Sequence, residues 1–248
     1  MAKQGGLGQK LIVGGWDISG DIGSLSNVHG GSAYQEVTGI DKSAKERVGT
    51  IRTAEMEFTS FFNTTAGQAT PVLNALPRTD VINTYMTGQL QGSAAACMVA
   101  MQNNYDPKRG ADASLTIDTK MEADDFGLEW GRLLTAGLRT DTTPTSPGTG
   151  LDQTDVSTLF GWQAYLQVTA LTGTNVVVTL QDSADNSTFA NLSGGAFTSA
   201  TLPQTTQRLQ SPGATDTVRR YVRAITTGTF SSATFCVVFI RNYVAVSF

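Results

Sequence analysis

The sequence predicts a mainly β protein, and three observations carry that expectation. Gly, Thr, Ser and Val are abundant while only 15% of the 248 residues are charged, a composition that suits strands joined by many turns. Apolar and polar residues alternate in segment after segment, the two-residue period of a half-buried strand. One stretch reads as helix, and it is short: Thr70-Pro71-Val72-Leu73-Asn74-Ala75-Leu76-Pro77. Thr70 can cap it, Pro71 fits the first helical position, where a missing N–H costs nothing, and Pro77 ends it.

In chain order, residues 1–10 are Gly-rich and read as a flexible arm. Residues 11–26 alternate, with Gly14, Gly15, Gly20 and Gly23 as punctuation. They predict a strand, a turn at 17–20 and a second short strand. The stretch 32–63 organises the rest as strand, charged loop and strand, at 33–38, 40–50 and 53–62. In the last of these Met56, Phe58 and Phe62 share one face and Glu55, Glu57 and Thr59 the other. The loop is too long for a tight hairpin turn, and from spacing alone it reads as a solvated excursion held by ion pairs. Strands resume at 80–87, 95–102, 113–121 and 128–136, with Asp118 and Lys120 on the polar face of the third.

The character changes near 140. Residues 140–155 read as a linker that opens on a Pro/Thr/Gly run. Residues 1–141 carry twelve basic and sixteen acidic side chains, whereas 142–248 carry five of each. The expected organisation is an arm (1–10), a first β-sandwich or barrel (11–139), a linker (140–155) and a second β-sandwich (156–248) of jelly-roll or immunoglobulin type. Strands of the second part are expected at 160–170, 176–181, 196–201, 206–210, 218–226 and 229–241.

Composition also narrows the function. A net charge of −4 gives no broad basic footprint for gripping nucleic acid. No apolar run approaches the roughly 20 residues that span a bilayer, and the start lacks the apolar core of a secretion signal. Cys97 and Cys236 lie in apolar runs without metal-ligand spacing and read as buried free thiols. His29 is the single histidine, so a His-based triad or a His-rich zinc site has nothing to draw on. Gly5–Lys10 lacks phosphate-loop spacing and any preceding strand. Asp124-Asp125, near Glu122 and Asp118, lacks calcium-loop spacing and reads as a solvated turn. Arg219, Tyr221 and Arg223 share one face of a strand, a candidate for a small anionic or glycan ligand. No nucleophile, base and oxyanion hole assemble, so no enzyme, cofactor or metal is expected.

Two phrases carry a resemblance. Leu11-Ile12-Val13-Gly14-Gly15-Trp16-Asp17-Ile18-Ser19-Gly20-Asp21 resembles the opening strand-turn-strand of siphophage tail tube (major tail) proteins. So does Val37-Thr38-Gly39-Ile40-Asp41-Lys42-Ser43-Ala44-Lys45-Glu46-Arg47-Val48-Gly49-Thr50-Ile51-Arg52, with the acidic-aromatic strand after it. Residues 178–189 and 219–241 are similar to β-sandwich extensions of tail proteins in phages of actinobacteria. The resemblance implies a virion structural protein made in the host cytoplasm. Six copies would form a ring, and rings would stack, with other tail proteins, into a hollow tube for DNA passage. The family's stacking loop maps onto 40–51, which turns Asp41, Lys42, Lys45, Glu46 and Arg47 into candidates for charge pairs across a subunit contact. A wall that must let DNA slide should repel phosphate, and the wet-face carboxylates Glu55, Glu57 and Asp118 are the candidates. The alternative is a minor tail or tail-tip protein that binds a host surface glycan through its C-terminal sandwich.

Overall fold

The computed structural model describes residues 5–245. It is mainly β, with 58% of the described residues in strands and one short α-helix among them. The chain opens with β1 (Lys10–Val13), β2 (Trp16–Asp17) and a 3-10 turn at Ser19–Asp21. A long pair follows, β3 (Ile22–Glu36) and β4 (Arg47–Phe61), and then α1 (Ala69–Leu73). Next come β5 (Val81–Met86), β6 (Ala94–Gln102), β7 (Asp106–Arg109), β8 (Leu115–Ala123), β9 (Glu129–Leu133) and β10 (Arg139–Asp141). The chain finishes with β11 (Leu151–Thr158), β12 (Trp162–Ser183), β13 (Ala190–Ala196), β14 (Thr205–Gln210) and β15 (Val218–Arg241).

These elements gather into two compact units that are discontinuous in sequence. The first takes Met1–Ser19, Ile82–Cys97 and Trp130–Phe248; the second takes Gly20–Val81 and Met98–Glu129. A boundary near 140 is therefore not where the units divide. The expected linker is not one either: β10 pairs with β15 from Arg139↔Phe235 to Asp141↔Ala233, and β11 pairs with β15 at Leu151↔Val222. Pro144, Pro147 and Gly148 turn the chain between two strands of one sheet, a local job that has the composition of a linker. Of the expected arm, residues 1–4 lie outside the described residues. Gly5–Gln9 are exposed, Gly8 accepts a hydrogen bond from Gln89 Nε2 at 3.2 Å, and Lys10 already belongs to β1.

In the first unit β12 and β15 pair over nearly their whole lengths. The separate strands expected at 160–170 and 176–181 are one strand, as are those at 218–226 and 229–241. Register shifts near Thr172–Asn175 leave Thr174, next to Gly173, without a partner, a bulge where the sequence reads as a break between strands. Trp162, Ala164, Leu166 and Val168 alternate into the large core, and the Trp162 and Phe239 rings stack with centroids 5.9 Å apart. Gln167 faces the other way and is fully buried. Its amide accepts from Gly15 N at 2.9 Å and donates to Ile82 O and Thr84 Oγ1, so burial leaves none of these groups orphaned.

In the second unit β4 pairs with β3 on one edge and with β8 on the other; β8 in turn pairs with β7 and with the end of β6. Ala54, Met56, Phe58 and Ser60 are buried, together with Ile117 and Met121 of β8, as period two requires. Helix α1 buries Ala69 and Leu73, and Leu73 O accepts from Gln102 Nε2 at 2.7 Å. Asp21, and not Thr70, satisfies its N-terminus by accepting from Ala69 N at 2.9 Å. Phe62, expected on the buried face, lies past the end of β4 and is exposed.

Candidate subunit-contact surface

β3 and β4 form a ribbon that outgrows its support. β8 reaches β4 only from Glu55 to Phe61, and β3 pairs with β4 alone. From His29 to Glu36 and from Arg47 to Thr53 both faces of the ribbon are exposed. Gly30 marks the root of the projection: a Cβ there would sit 2.4 Å from Leu128 Cβ, so only glycine lets the ribbon lie against that side chain. Past this point Tyr34, Val37, Ile40, Val48 and Ile51 carry exposed apolar surface, with Ile40 wholly exposed and Ile51 at 74%.

The loop at the tip is shorter than expected, because Arg47–Thr50 already belong to β4. Val37 N donates to Glu46 O at 3.0 Å and Glu46 N to Thr38 Oγ1 at 3.0 Å, closing the neck of the loop. The five charged residues singled out by sequence cluster there, and most of their charge is balanced within the chain. Lys42 pairs with Glu46 at 3.3 Å, Lys45 pairs with Glu36 at 2.9 Å, and the Arg47 guanidinium lies 4.7 Å over the Tyr34 ring. Asp41 is exposed, with its carboxylate against Gly39. Glu36 and Tyr34 are the partners that sequence reading did not name.

The polar face of the second unit gathers the other candidates. Register pairs Glu55↔Glu122, Glu57↔Lys120 and Thr59↔Asp118 put all six side chains on one face. Lys120 sits among the glutamates, 3.0 Å from Glu55, 3.1 Å from Glu122 and 3.5 Å from Glu57, and its ammonium pKa is raised by Glu55 and then Glu122. Hydrogen bonds from Lys108, at 2.5 Å, and from Thr59 hold the Asp118 carboxyl below its ordinary range. Asn103 and Lys120 lower Glu122 in the same way. Two grooves of about 300 Å³ cross this face, one lined by Glu57, Asp106, Lys108, Asp118 and Lys120, the other by His29, Glu55 and Glu122. Sequence reading names Glu55, Glu57 and Asp118 and puts Lys120 on the face with Asp118, but it does not bring Glu122 or Lys108 to this face and does not pair Lys120 with the glutamates. The alternation that placed Asp118 on the wet face also placed Lys120 there.

The arginines of β15 are engaged within the chain. Arg223 stacks 3.8 Å over the Phe189 ring and donates to Gln181 and to Pro147 O; Arg220 grips Asp152 through two hydrogen bonds; Arg219 faces Asp182 at 3.8 Å. Among the described residues no group of three or more His, Cys, Asp or Glu side chains could hold a metal ion. Both cysteines are buried and free.

No family model matches the chain, and no curated protein matches it. Among solved structures the chain is similar to the SPP1 Dit (gp 19.1) protein, described as a paradigm of hub adsorption apparatus in phages infecting Gram-positive hosts. That likeness has 14% identity and a TM-score of 0.32, over 94% of this chain and 99% of that one. It is also similar to a chain of the phage p2 baseplate in its activated conformation with Sr. There the identity is 11% and the TM-score 0.33, over 94% and 98% of the two chains.

Proposed function

We propose that this protein is a structural subunit of a phage tail tube, assembling with copies of itself into rings that stack into a conduit for DNA. The observation that carries the proposal is the β3–β4 ribbon, whose distal half is exposed on both faces and carries apolar side chains on a two-stranded scaffold. Two strands without a third layer are marginal in water, so such an arm gains its burial from a neighbouring chain. The sequence resemblance over residues 11–21 and 37–52 supports reading this tip as the family's stacking loop and the ring as one of six copies. The polar face of β4 and β8 is the candidate channel wall. Its carboxylates outnumber its lysines, and lysines held by carboxylates are poor phosphate ligands, which keeps a passing duplex mobile.

Electron microscopy of the purified protein tests the reading, with rings or tubes expected and discrete monomers or trimers against it. The double substitution Lys45→Glu with Arg47→Glu removes the Glu36 ion pair and the Tyr34 stack, each exposed pair contributing roughly 0–1 kcal/mol. The monomer should stay folded and lose tube formation; normal tubes would take the tip out of the contact. Changing Glu55 and Glu57 to Gln should slow genome delivery from tails that still assemble, most at low ionic strength, where screening is weakest.

A further inference from the structure

We propose that the first unit binds a small monovalent anion of halide size, buried at one end of its large core among the side chains of Arg241, Gln153 and Trp162. Arg241 stands opposite Trp162 in the β12–β15 ladder, so the two side chains lie on one face. Phe239, two residues before Arg241, stacks on Trp162 in the large core, so this is the face that enters it. From β11, Gln153 follows the core residue Leu151 by two positions and is buried with it. Arg241 reaches the same strand, its Nε donating to Thr158 Oγ1 at 3.0 Å and its Nη1 to Asp155 O at 3.1 Å. The Tyr243 ring lies 5.6 Å from the Arg241 guanidinium, and its hydroxyl donates to Gln153 O at 3.4 Å. Arg241 is 5% exposed, Gln153 3% and Trp162 0%. Each nevertheless keeps one buried N–H donor without a partner: Arg241 Nη2, Gln153 Nε2 and Trp162 Nε1.

The ligand's chemistry follows from these groups. All three unpartnered atoms are donors, so the fitting ligand is an acceptor. Gln163 Oε1, an acceptor without a partner, belongs to the next residue of β12 and so to the opposite face from Trp162. A buried water needs acceptors for its own hydrogens, and those beside Arg241 are in use. Thr158 Oγ1 and Asp155 O accept from Arg241, and Gln153 O accepts from Tyr243 and from Thr154 Oγ1 at 2.6 Å. Charge points the same way. Among the described residues no carboxylate pairs with Arg241. Asp182 is engaged by Arg219, whose N donates to it at 2.8 Å and whose guanidinium lies 3.8 Å away, and Asp155 is exposed. Burial pushes the Arg241 guanidinium below its ordinary value, and Tyr243, Asp155 and Asp182 offset this only in part. A buried cation without a counter-charge is costly, and a bound anion offsets that cost. Side chains this enclosed admit a halide and exclude a bulky anion such as gluconate. The site does not depend on the tube reading.

Melting of the full chain as sodium chloride replaces sodium gluconate at constant ionic strength tests the proposal. Each tenfold increase in chloride should raise the melting temperature of the first unit by about 3–6 °C once the site begins to fill. In a crystal soaked in bromide, anomalous diffraction should place a peak within hydrogen-bond reach of Arg241 Nη2. Melting that ignores chloride overturns the proposal, and so does a water at Arg241 with no bromide signal. A bromide peak without any chloride effect on melting is binding at crystal concentration only and also overturns it. Arg241→Met should lose the chloride effect. Should that variant fail to fold, Gln153→Glu decides, because it supplies a carboxylate from the protein itself. Gln153→Glu should melt in gluconate at least as high as the unsubstituted chain does in chloride and should no longer respond to chloride. A full chloride response in Gln153→Glu overturns the site.

Discussion

The molecule builds two long antiparallel strand pairs and finishes them differently. β12 and β15 are flanked toward both of their ends, by β13 and β14 along one and by β9, β10 and β11 along the other, and both faces of residues 162–168 are buried. β3 and β4 pair just as continuously, yet β8 supports them only near the base. Strand length is thus fixed by pairing, while stability comes from the layer packed on the pair. The distal ribbon has the first and lacks the second, which places it at the low end of local stability.

Ending the chain after Thr140 breaks the comparison most severely. It removes β11–β15 and nearly all of the large core while leaving β1, β2 and β5 without the sheet that organises them. The first unit should lose its cooperative melting transition by circular dichroism. A fragment that melts cooperatively with β1 and β5 still protected from hydrogen exchange would show that the unit does not depend on β15.

The next test applies one operation to both pairs. Trp162→Ala should cost about 3–5 kcal/mol in denaturant unfolding, because a fully buried indole leaves a cavity. Ile51→Ala should stay within about 0.5 kcal/mol in the monomer. Comparable losses would mean that the ribbon is packed after all. At the ribbon's root, Gly30→Ala drives a methyl into Leu128 and should cost about 1–3 kcal/mol. Adding Leu128→Ala should recover part of that loss, a coupling a double-mutant cycle reads directly.

The smallest effect is electrostatic. Two hydrogen bonds from Arg220 hold the Asp152 carboxyl down to about 2, against 3.8 unperturbed. A depressed carboxylate contributes stability above its unfolded pKa and loses it as pH falls through the folded value, so this contribution is full above about 4 and gone near 2. Carboxyl NMR titration should show Asp152 returning toward the ordinary value in Arg220→Ala, with little change in melting at neutral pH, since solvent reaches both partly exposed side chains.

Legibility followed burial. The alternation at 54–58 and at 162–168 was readable because one face of each strand enters a core. The first half of β3 reads as short pieces and residues 47–50 as loop, because a strand with no buried face has no period to show. Gly173 and the Pro/Gly run after Thr140 read as punctuation, and the chain used them for a bulge and an edge turn. The tip residues were legible as a charged loop. Their pairing to Glu36 and Tyr34 was not, since those partners come from a strand whose facing residues only register defines.

The discontinuous first unit has a consequence for how the protein is made. Gly15 donates to Gln167, 152 positions later in the chain. At about 5–20 residues per second the ribosome takes roughly 8–30 s to cover that distance. All of the second unit, ribbon included, emerges within this interval. Its arm is thus complete, with apolar side chains uncovered, while β1 still waits for its sheet. On a polysome many such arms coexist before any chain is whole. A tip whose lysines are already paired within the chain, Lys42 with Glu46 and Lys45 with Glu36, limits charge attraction between those arms.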